Sequence, residues 1–596
     1  MIQYPKLNAG TKSRQKLELF KGLNRSLRIG SGEFSEMENL TSDDYPVLST
    51  RRKRGCHLYS LQDGGHATGM IYVPGKGLFI AVDHLDPQNH DIDNVICSLF
   101  LLSTDGAMEC ITSGIVSGPK SFALMGKYVI IAPIMMWVRI DDLSYGNIHH
   151  LLKICEGSLN LELYMADGTP LNKGYQGVDP PSDPQSYSHW LDTTNIPPQV
   201  KRYSVPQEKW VTVENTKVGL QSDGLTGHQF RVGDVVNVTG LSGKVAAFNG
   251  LHTITDRPYQ DTIVVDGVIT AGSVHSCEDN PVKIERDVPK LDYIVEWANR
   301  IWGCSRSTNE VYACKLGDFK NWNCFQGLST DSWVGSVGTP GEFTGAVVQN
   351  GYPVFYKENC KHKVWPSTTG AHQMTTVNCN GVEKGSESSL AVWDGTVFYK
   401  SAFGVFADDG GGAVEIGQAL GDIRYRNGIG AIHDRKYYLS MEDSTGKRGM
   451  FVYDIARRMW HRENGVDGVI CSAQNSLYGA YGDIWDLTGN TGTPEETVPW
   501  FAVTGDLGLE LPEQKYISRL TLRLQLEPGA TLEIYAQYDR EQEWVKLGQV
   551  YGTDLRSFSL PVRPRRCDQL RLKLQGTGMC KLYSITKTLE RGSEQP

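Results

Sequence analysis

The chain has 596 residues, of which 40% are hydrophobic and 21% charged, so it can bury a core and is not a disordered polymer. At this length we expect one large domain with appendages rather than a single small core. The formal net charge of −9 argues against tight, sequence-independent nucleic-acid binding over the whole surface, because neutralising phosphates needs a basic face.

The first predicted element is an extended N-terminal arm, residues 1–55. Apolar residues are sparse there and turn formers are frequent, so we expect the arm to lie across another surface. It ends at a basic run, Arg51, Arg52, Lys53 and Arg54. Such short runs are typical of solvated strand ends, and a polyanion-binding site is the alternative.

Residues 56–208 are predicted to form the first part of a β-propeller, followed by a linker. Short apolar runs separated by Gly, Asp and Pro predict strands joined by hairpins. These runs lie at residues 68–73, 77–82, 95–102, 107–115, 121–131 and 159–164. Residues 166–208 are rich in proline, which is typical of a long loop or linker around an insertion.

Residues 209–288 are predicted to be that insertion, a small β module. Apolar and polar residues alternate in several short segments, and Asn249-Gly250 is a strong turn dipeptide. A module inserted in this way needs its two ends close together.

Residues 289–498 are predicted to complete the propeller, because two stretches follow the same plan. One runs from Asn299 to Trp322 and the other from Asp434 to Trp460, each as strand, turn, strand, turn and tryptophan. A repeated hairpin closed by an aromatic residue is how a propeller blade appears in a sequence. The chain has enough material for six or seven blades.

Residues 499–596 are predicted to form a C-terminal β-sandwich. Leucines at 520, 522, 524 and 526 alternate with polar residues, and residues 532–538 and 570–574 do the same. Strict period-2 alternation without a helical stretch predicts sheets that each bury one face. The whole chain is therefore expected to be all-β: a β-propeller with an inserted small β module and a C-terminal β-sandwich.

A metal or cofactor site is not expected from the motifs in this sequence. The nearest approach to a metal constellation comprises Asp83, His84, Asp86, His90, Asp91 and Asp93. It lacks the glycine and the ligand spacing of a calcium loop, so an exposed acidic turn is favoured. The run Gly410-Gly411-Gly412 lacks the Lys and Ser/Thr of a phosphate-binding loop and predicts a hairpin turn.

Glycosidase chemistry would need two carboxylates facing each other across a substrate. Asp408, Asp409, Asp422 and Asp434 are candidates, but 68 acidic residues supply candidates anywhere. The segment Ser103-Thr104-Asp105-Gly106 resembles the start of a sialidase Asp-box without the tryptophan that should follow. No catalytic residue is therefore assigned, and we expect the chain not to be an enzyme.

The tryptophans have two interpretations, sugar stacking and closure of the core between blades. The second is favoured for tryptophans at the strand ends of a blade. The residues concerned are Trp302, Trp322, Trp365, Trp393, Trp460 and Trp485.

The cysteines and apolar runs indicate where the protein resides. Thirteen cysteines show no CxxC pair, and no signal peptide is recognised, so free thiols in a reducing cytoplasm are expected. No apolar run approaches 18 residues, so no membrane segment is expected.

Both ends of the chain resemble a known family. Residues 20–24, 32–40 and 44–48 with the basic run at 51–54 resemble the opening of phage tail hub or nozzle proteins, including the packaged-DNA-stabilisation proteins of short-tailed phages. Trp500, residues 504–506, 516–520, 563–568 and 576–578 are similar to the C-terminal region of clostridial-type prophage structural proteins.

The resemblance implies a structural virion protein of a bacteriophage tail. Its propeller protomers would form a ring, usually a hexamer, below the portal and adaptor proteins and around the DNA exit channel. An acidic lining would let phage DNA pass without sequence-specific binding. Tail fibres or other tail proteins would dock on the ring, which would be assembled in the host cytoplasm and reside in the virion.

Two other functions stay open at this point. One is a carbohydrate-binding tail adhesin or receptor-binding protein that uses aromatic residues on the sandwich or the propeller. The other is a propeller glycosidase. A glycan array separates the hub from the adhesin, because the hub predicts no bound sugar.

Overall fold

The structure is a computed structural model that describes residues 12–61, 64–86, 95–148, 151–194, 198–228, 230–269, 273–276, 280–286, 288–508, 515–562 and 565–591. The fold class expected from the sequence is confirmed: the chain is all-β, with β-propeller sheets, an inserted β module and a C-terminal β-sandwich. Short 3₁₀ helices lie at Pro184–Ser186, Val205–Gln207, Asp223–Leu225, Gly243–Phe248, Glu387–Ser389 and Gln418–Leu420.

The strands are numbered in chain order. The first part of the chain contains β1 (Lys12–Leu17), β2 (Phe34–Glu38), β3 (Leu40–Thr41), β4 (Leu48–Thr50), β5 (Gly55–Ser60), β6 (His66–Val73), β7 (Gly77–Leu85), β8 (Val95–Ser103), β9 (Met108–Val116), β10 (Ser121–Met125), β11 (Tyr128–Ala132), β12 (Met136–Arg139) and β13 (Tyr145–Asn147). There follow β14 (Leu151–Cys155), β15 (Ser158–Tyr164), β16 (Gly174–Gly177), β17 (His189–Asp192), β18 (Gln199–Ser204), β19 (Lys209–Thr212), β20 (Lys217–Gln221), β21 (Val235–Thr239), β22 (Gly250–Tyr259), β23 (Thr262–Asp266), β24 (Ser273–Ser276) and β25 (Val282–Arg286).

The second half of the chain continues the series. It contains β26 (Tyr293–Trp297), β27 (Arg300–Ser305), β28 (Glu310–Ala313), β29 (Trp333–Ser336), β30 (Gly345–Gln349), β31 (Tyr352–Tyr356), β32 (Cys360–Trp365), β33 (Gln373–Asn378), β34 (Ala391–Trp393), β35 (Thr396–Ser401), β36 (Gly404–Asp408), β37 (Ala413–Glu415), β38 (Arg426–His433), β39 (Lys436–Glu442), β40 (Arg448–Asp454), β41 (Met459–Asn464), β42 (Val469–Ser472), β43 (Leu477–Ala480), β44 (Asp483–Asp486) and β45 (Thr493–Pro494). The last strands are β46 (Pro499–Thr504), β47 (Lys515–Tyr538), β48 (Val545–Leu560), β49 (Arg566–Cys567), β50 (Leu570–Thr577) and β51 (Cys580–Arg591).

Two compact units divide the chain. One comprises residues 1–122, 341–363 and 376–596, and the other comprises residues 123–340 and 364–375. In the first unit, blade-type sheets run in the orders β6-β7-β8-β9, β34-β35-β36-β37 and β38-β39-β40-β41. In the second unit, β26-β27-β28-β29 has the same order. Each sheet is thus a meander of neighbouring antiparallel strands, which is the plan of a propeller blade.

The two matching stretches of sequence have the same structure. Each starts at a two-residue turn in which both central residues have positive φ, as a type I′ hairpin requires. The φ values are 52° and 58° at Ala298 and Asn299, and 46° and 58° at Asp434 and Arg435. The next two strands follow in each case, β27 and β28 or β39 and β40. The repeated hairpin is therefore confirmed, but the closing tryptophans are not equivalent, because Trp460 lies in β41 whereas Trp322 lies between β28 and β29.

A strand from the early chain completes the last blade. β5 pairs antiparallel with β44, so that Ser60 lies opposite Asp483 and Gly55 opposite Asp486. The resulting sheet has the order β42-β43-β44-β5-β45. This pairing joins the start of the propeller sequence to its final sheet.

The inserted module has an eight-stranded sheet with the order β14-β25-β21-β22-β23-β20-β15-β24. This sheet also includes β14 and β15, although the sequence assigned residues 159–164 to the propeller. Period-2 alternation looks the same in either sheet, so the pattern alone does not tell which partner a strand takes. Strands β16 to β19 form a separate four-stranded sheet.

The C-terminal strands share one long member, β47. Along its first half β47 pairs with β51, along its second half it pairs with β50, and β48 follows it on the other edge. The alternating side chains that the sequence singled out are buried in one core, including Leu522 of the first half and Ile534 of the second. Arm strands extend this sheet, since β1 and β4 pair with β51 and β2 pairs with β46.

Among the described residues, we find no helix with the length and apolarity to span a membrane.

Candidate functional site

A cleft of about 630 Å³ lies on the outward face of the C-terminal sheet. Strands β2, β46, β50, β47 and β48 supply its lining. The lining residues are Glu36, Glu38, Pro499, Trp500, Phe501, Val503, Thr531, Glu533, Gln537, Trp544, Gln549, Arg571, Lys573, Gln575, Gly576 and Thr577. Its volume falls within the range of about 300–1,000 Å³ that is typical of small-molecule sites.

One row of residues crosses all five strands. The strand registers place Glu38, Phe501, Gln575, Glu533 and Gln549 opposite one another in that order. Successive residues of a strand point to opposite faces, so this row faces the cleft while the leucines beside it face the core. The cleft therefore has a continuous line of hydrogen-bonding groups with one aromatic ring in it.

The carboxylate of Glu533 is held in its ionised form. Lys546 Nζ donates to Glu533 Oε1 at 2.6 Å, and the Tyr535 hydroxyl donates to Glu533 Oε2 at 2.8 Å. The hydrogen bond from Lys546, followed by that from Tyr535, lowers the pKa of Glu533. The same contacts raise the pKa of Lys546 and of Tyr535. Glu533 therefore presents a fixed acceptor to the cleft near neutral pH.

A second set of hydrogen bonds orders the rim formed by Arg571. Arg571 Nη2 donates to Ser35 Oγ at 2.7 Å, and its Nη1 lies 3.5 Å from Gln537 Oε1. The amide of Gln537 donates to the Glu541 carbonyl at 2.5 Å. These contacts connect the arm to β50 and β47, so the side chains are oriented before any ligand arrives.

The aromatic part of the cleft consists of one buried tryptophan and two half-buried rings. Trp500 is 3% exposed, and its Nε1 donates to the Gly578 carbonyl at 3.1 Å. Its ring packs over Gly576, where an added Cβ would lie 2.8 Å from the ring and 2.2 Å from the Thr531 carbonyl. Phe501 and Trp544 are half-buried and line the cleft.

This arrangement suits a ligand with many hydroxyl groups. The carboxylates accept hydrogen bonds, the amides of Gln549 and Gln575 both donate and accept, and Lys573 donates. The half-buried rings offer an apolar face between these groups. The sequence did not single out this cleft, although the alternation around Leu572 and Leu574 marks the intervening residues as outward-facing.

Asp408 and Asp409, two of the candidate glycosidase carboxylates, have structural roles. Asp408 is fully buried and accepts hydrogen bonds from Lys361 Nζ at 2.5 Å and from the Gly410 amide at 2.8 Å. Asp409 is exposed and accepts a hydrogen bond from the Gly411 amide, which lowers its pKa. The three glycines lie between β36 and β37, so the predicted hairpin turn is confirmed.

The other two candidate carboxylates lie in different surroundings. Asp422 is exposed and lines a cavity of about 290 Å³ together with Phe403 and Tyr425. Asp434 occupies the hairpin turn before β39. Ser103 and Asp105, from the segment that resembles an Asp-box, are hydrogen-bonded to each other in the turn between β8 and β9.

The candidate metal constellation is incompletely described. Asp83 is buried in β7 and accepts a hydrogen bond from the Gly118 amide at 2.6 Å, so the exposed-turn interpretation is wrong for this residue. His84 contacts Ser98 Oγ at 2.6 Å. His90, Asp91 and Asp93 lie outside the described residues. In the described part of the chain, no group of three or more His, Cys, Asp or Glu side chains could hold a metal ion.

The basic run at the end of the arm is solvated only in part: Arg52 is exposed and Lys53 is half-buried, whereas the interpretation as a solvated strand end is wrong for Arg51 and Arg54. Arg51 and Arg54 are buried, with relative exposures of 3% and 5%. Arg51 Nη1 lies 2.7 Å from Glu495 Oε2, and Arg54 Nη2 lies 3.1 Å from Glu463 Oε2. Their acidic partners lie more than 400 positions along the chain, which is why a local pattern did not reveal them.

The tryptophans divide between the two interpretations. Trp302, Trp322 and Trp460 are buried, so the core interpretation is confirmed for them. Trp365 and Trp393 are 40% and 39% exposed, so it is wrong for these two. Trp485 is half-buried.

No protein-family model matches this chain, and no curated protein is similar to it in sequence. Several solved structures are similar at low identity. An exo-β-1,3-galactanase from Phanerochaete chrysosporium is 9% identical with a TM-score of 0.21, covering 49% of this chain and 94% of its own. PorZ, a surface component of the type-IX secretion system of Porphyromonas gingivalis, is 11% identical with a TM-score of 0.24, covering 90% and 82%.

The endosialidase of phage phi92 is 10% identical with a TM-score of 0.19, covering 92% of this chain and 75% of its own. The sequence-based conclusion that the chain is not an enzyme does not stand, since structures of enzymes, the galactanase and the endosialidase, are among these matches. Scores of this size do not assign either activity to this chain.

Proposed function

We propose that this chain is a carbohydrate-binding β-propeller protein, and more specifically a receptor-binding adhesin of a bacteriophage tail. Its saccharide would lie in the cleft on the C-terminal sheet. The observation that carries the proposal is the row from Glu38 through Phe501, Gln575 and Glu533 to Gln549.

The row suits an extended saccharide because of its spacing. Neighbouring strands lie about 4.8 Å apart, so five strands spread these side chains over about 19 Å. Polar groups at this interval reach hydroxyls on successive sugar rings, and the Phe501 ring covers an apolar C–H face. Since Glu533 is already ionised and oriented by Lys546 and Tyr535, little ordering cost falls on binding.

A glycan array probed with the full chain tests the proposal. We expect at least one saccharide class to bind, and Gln575→Ala to weaken its binding about tenfold, because the variant loses an amide that donates and accepts hydrogen bonds, worth ~1.4 kcal/mol. Isothermal titration calorimetry with the best saccharide gives the affinity.

Gln525→Ala is the matched control, because Gln525 is an exposed glutamine on β47 outside the cleft lining. It should bind like the unaltered protein. An array without hits would refute the proposal, as would equal effects of the two substitutions.

The hub interpretation is a second proposal and rests on the resemblance of the chain ends. In that role the chain forms a ring, of six copies as the resemblance implies, that contacts portal, adaptor and tail-fibre proteins and lets phage DNA pass. Location in the virion belongs to the same proposal.

A further inference from the structure

A second groove lies on the inserted module, in the other compact unit of the chain. It has a volume of about 300 Å³ and lies over strands β15, β20, β23 and β22. These strands are consecutive neighbours in the eight-stranded sheet, so the groove lies over paired strands rather than over loops. Sites built on strands hold their side chains more precisely than sites built on loops.

The floor of this groove includes a tyrosine ring that packs on a glycine. The strand registers place Glu162, Gly219, Val264 and Asp256 opposite one another in a single row. A Cβ at Gly219 would lie 2.8 Å from the Tyr164 ring. The Tyr164 ring therefore covers Gly219 at one side of a trough, and the row carries a carboxylate at each end, about three strand spacings apart, ~14 Å.

Two tyrosines stand at the borders of the trough. The Tyr164 hydroxyl donates to Glu162 Oε2 at 2.5 Å, which fixes the ring beside Gly219. Burial and this hydrogen bond raise the pKa of Tyr164 to about 12, so the phenol stays protonated. Tyr259 is 71% exposed at the end of β22. A rigid ring with a polar tip is a common ligand contact because it loses little conformational entropy on binding.

The polar groups around the trough determine which ligands fit. Asn160 and Gln221 lie opposite each other in the neighbouring row and present amides that both donate and accept. Glu162 and Asp256 carry two negative charges, and Lys217 carries one positive charge. An anionic ligand would meet net repulsion here, whereas an uncharged ligand with many hydroxyls would find donors and acceptors on both sides.

We propose that this groove is a second saccharide-binding site, selective for uncharged pyranose sugars over sugars that carry a carboxylate. The inference goes beyond the proposed function and does not depend on the cleft of the C-terminal sheet, because the two share no residue. A pyranose ring would rest between the Tyr164 ring, which covers Gly219, and Tyr259, with its hydroxyls directed at the acidic and amide groups.

The test is calorimetric titration of the full chain with neutral disaccharides built from glucose, galactose, mannose or N-acetylglucosamine, and with cellobiouronic acid beside cellobiose. We expect at least one neutral disaccharide to bind and Tyr259→Ala to weaken it fivefold or more. Tyr145→Ala, which removes a 50% exposed tyrosine of β13 away from the groove, is the matched control and should change nothing.

A charge variant tests the selectivity separately. Asp256→Asn should reduce the ratio of the affinity for the neutral sugar to that for its carboxylated analogue at least threefold, because it removes one of the two repelling charges. If none of the neutral disaccharides binds, or if Tyr259→Ala leaves all affinities unchanged, the proposal is overturned. Loss of binding in Gln575→Ala with none in Tyr259→Ala would refute this groove and leave the cleft proposal standing.

Discussion

Buried charges at the end of the arm connect distant parts of the chain. Arg51 and Arg54 lie between Glu463 of β41 and Glu495, and Arg51 also donates to the Asn39 side chain. Burial is the main cause that lowers the pKa of Arg54, and Glu463 opposes it. Burying a cation without an acidic partner costs folding free energy. The two carboxylates are therefore needed to keep this end of the arm docked.

Replacing Glu463 should destabilise the protein strongly. Glu463→Gln keeps the shape of the side chain but leaves Arg54 buried without its nearest charge, and we expect a loss of about 3 kcal/mol of unfolding free energy. Denaturant unfolding monitored by circular dichroism measures the change.

Lys384→Met is the control for this substitution. It removes one partner of an ion pair whose side chains are 62% and 50% exposed, and exposed pairs contribute about 0–1 kcal/mol. Comparable losses in the two variants would contradict the assigned role of Glu463.

The residues of the basic run could be located from the sequence, but their environment could not. A local window shows four adjacent cations and predicts solvent exposure. The neutralising carboxylates lie over 400 residues further along the chain, and no periodicity within the run indicates their positions. The same limit applies to the cleft, whose row takes one residue from each of five strands.

The position of the arm is fixed by a close crossing over β41. Gly22 has φ +78°, and an added Cβ would lie 2.3 Å from the Trp460 carbonyl, which accepts a hydrogen bond from the Leu23 amide at 2.6 Å. The arm therefore passes over β41 at a point where a side chain does not fit.

Gly22→Ala should destabilise the docked arm by more than the positive φ of this residue alone would cost. Gly75 is a matched control, because it has φ +77° and no atom within 4 Å of an added Cβ. We expect Gly75→Ala to cost about 1–2 kcal/mol and Gly22→Ala to cost a further 1–3 kcal/mol. Thermal unfolding and trypsin sensitivity of the arm measure the difference, and equal costs would contradict the close crossing.

Strand identity was largely predictable, whereas strand partners were not. Alternation marked β47 and β50, and the repeated plan that starts at Asn299 and at Asp434 marked two blade hairpins, since both signals are local. The pairing of β5 with β44, and the place of β15 in the module, depend on contacts between remote segments. Side-chain periodicity does not encode those.

At the scale of the whole molecule, the proposed ring predicts the mass of the assembled protein. If the proposed hub role applies, native mass spectrometry should give about six times the 66.1 kDa of one chain, because the family that the chain ends resemble forms such rings. Purified portal or adaptor protein should then bind the assembly. A stable monomer without affinity for either would contradict the hub role while leaving saccharide binding intact.

The pairing of β1 with β51 cannot form until the residues of β51 have been synthesised. Lys12 lies opposite Glu590 and Leu17 opposite Ile585, so the first described strand lacks this partner until residues 585–590 have been translated. At about 5–20 residues per second, the ribosome needs about half a minute to two minutes to make the residues between them. During that interval the edge of β1 is without its native partner, and a nascent chain in a crowded polysome would be exposed to pairing with its neighbours.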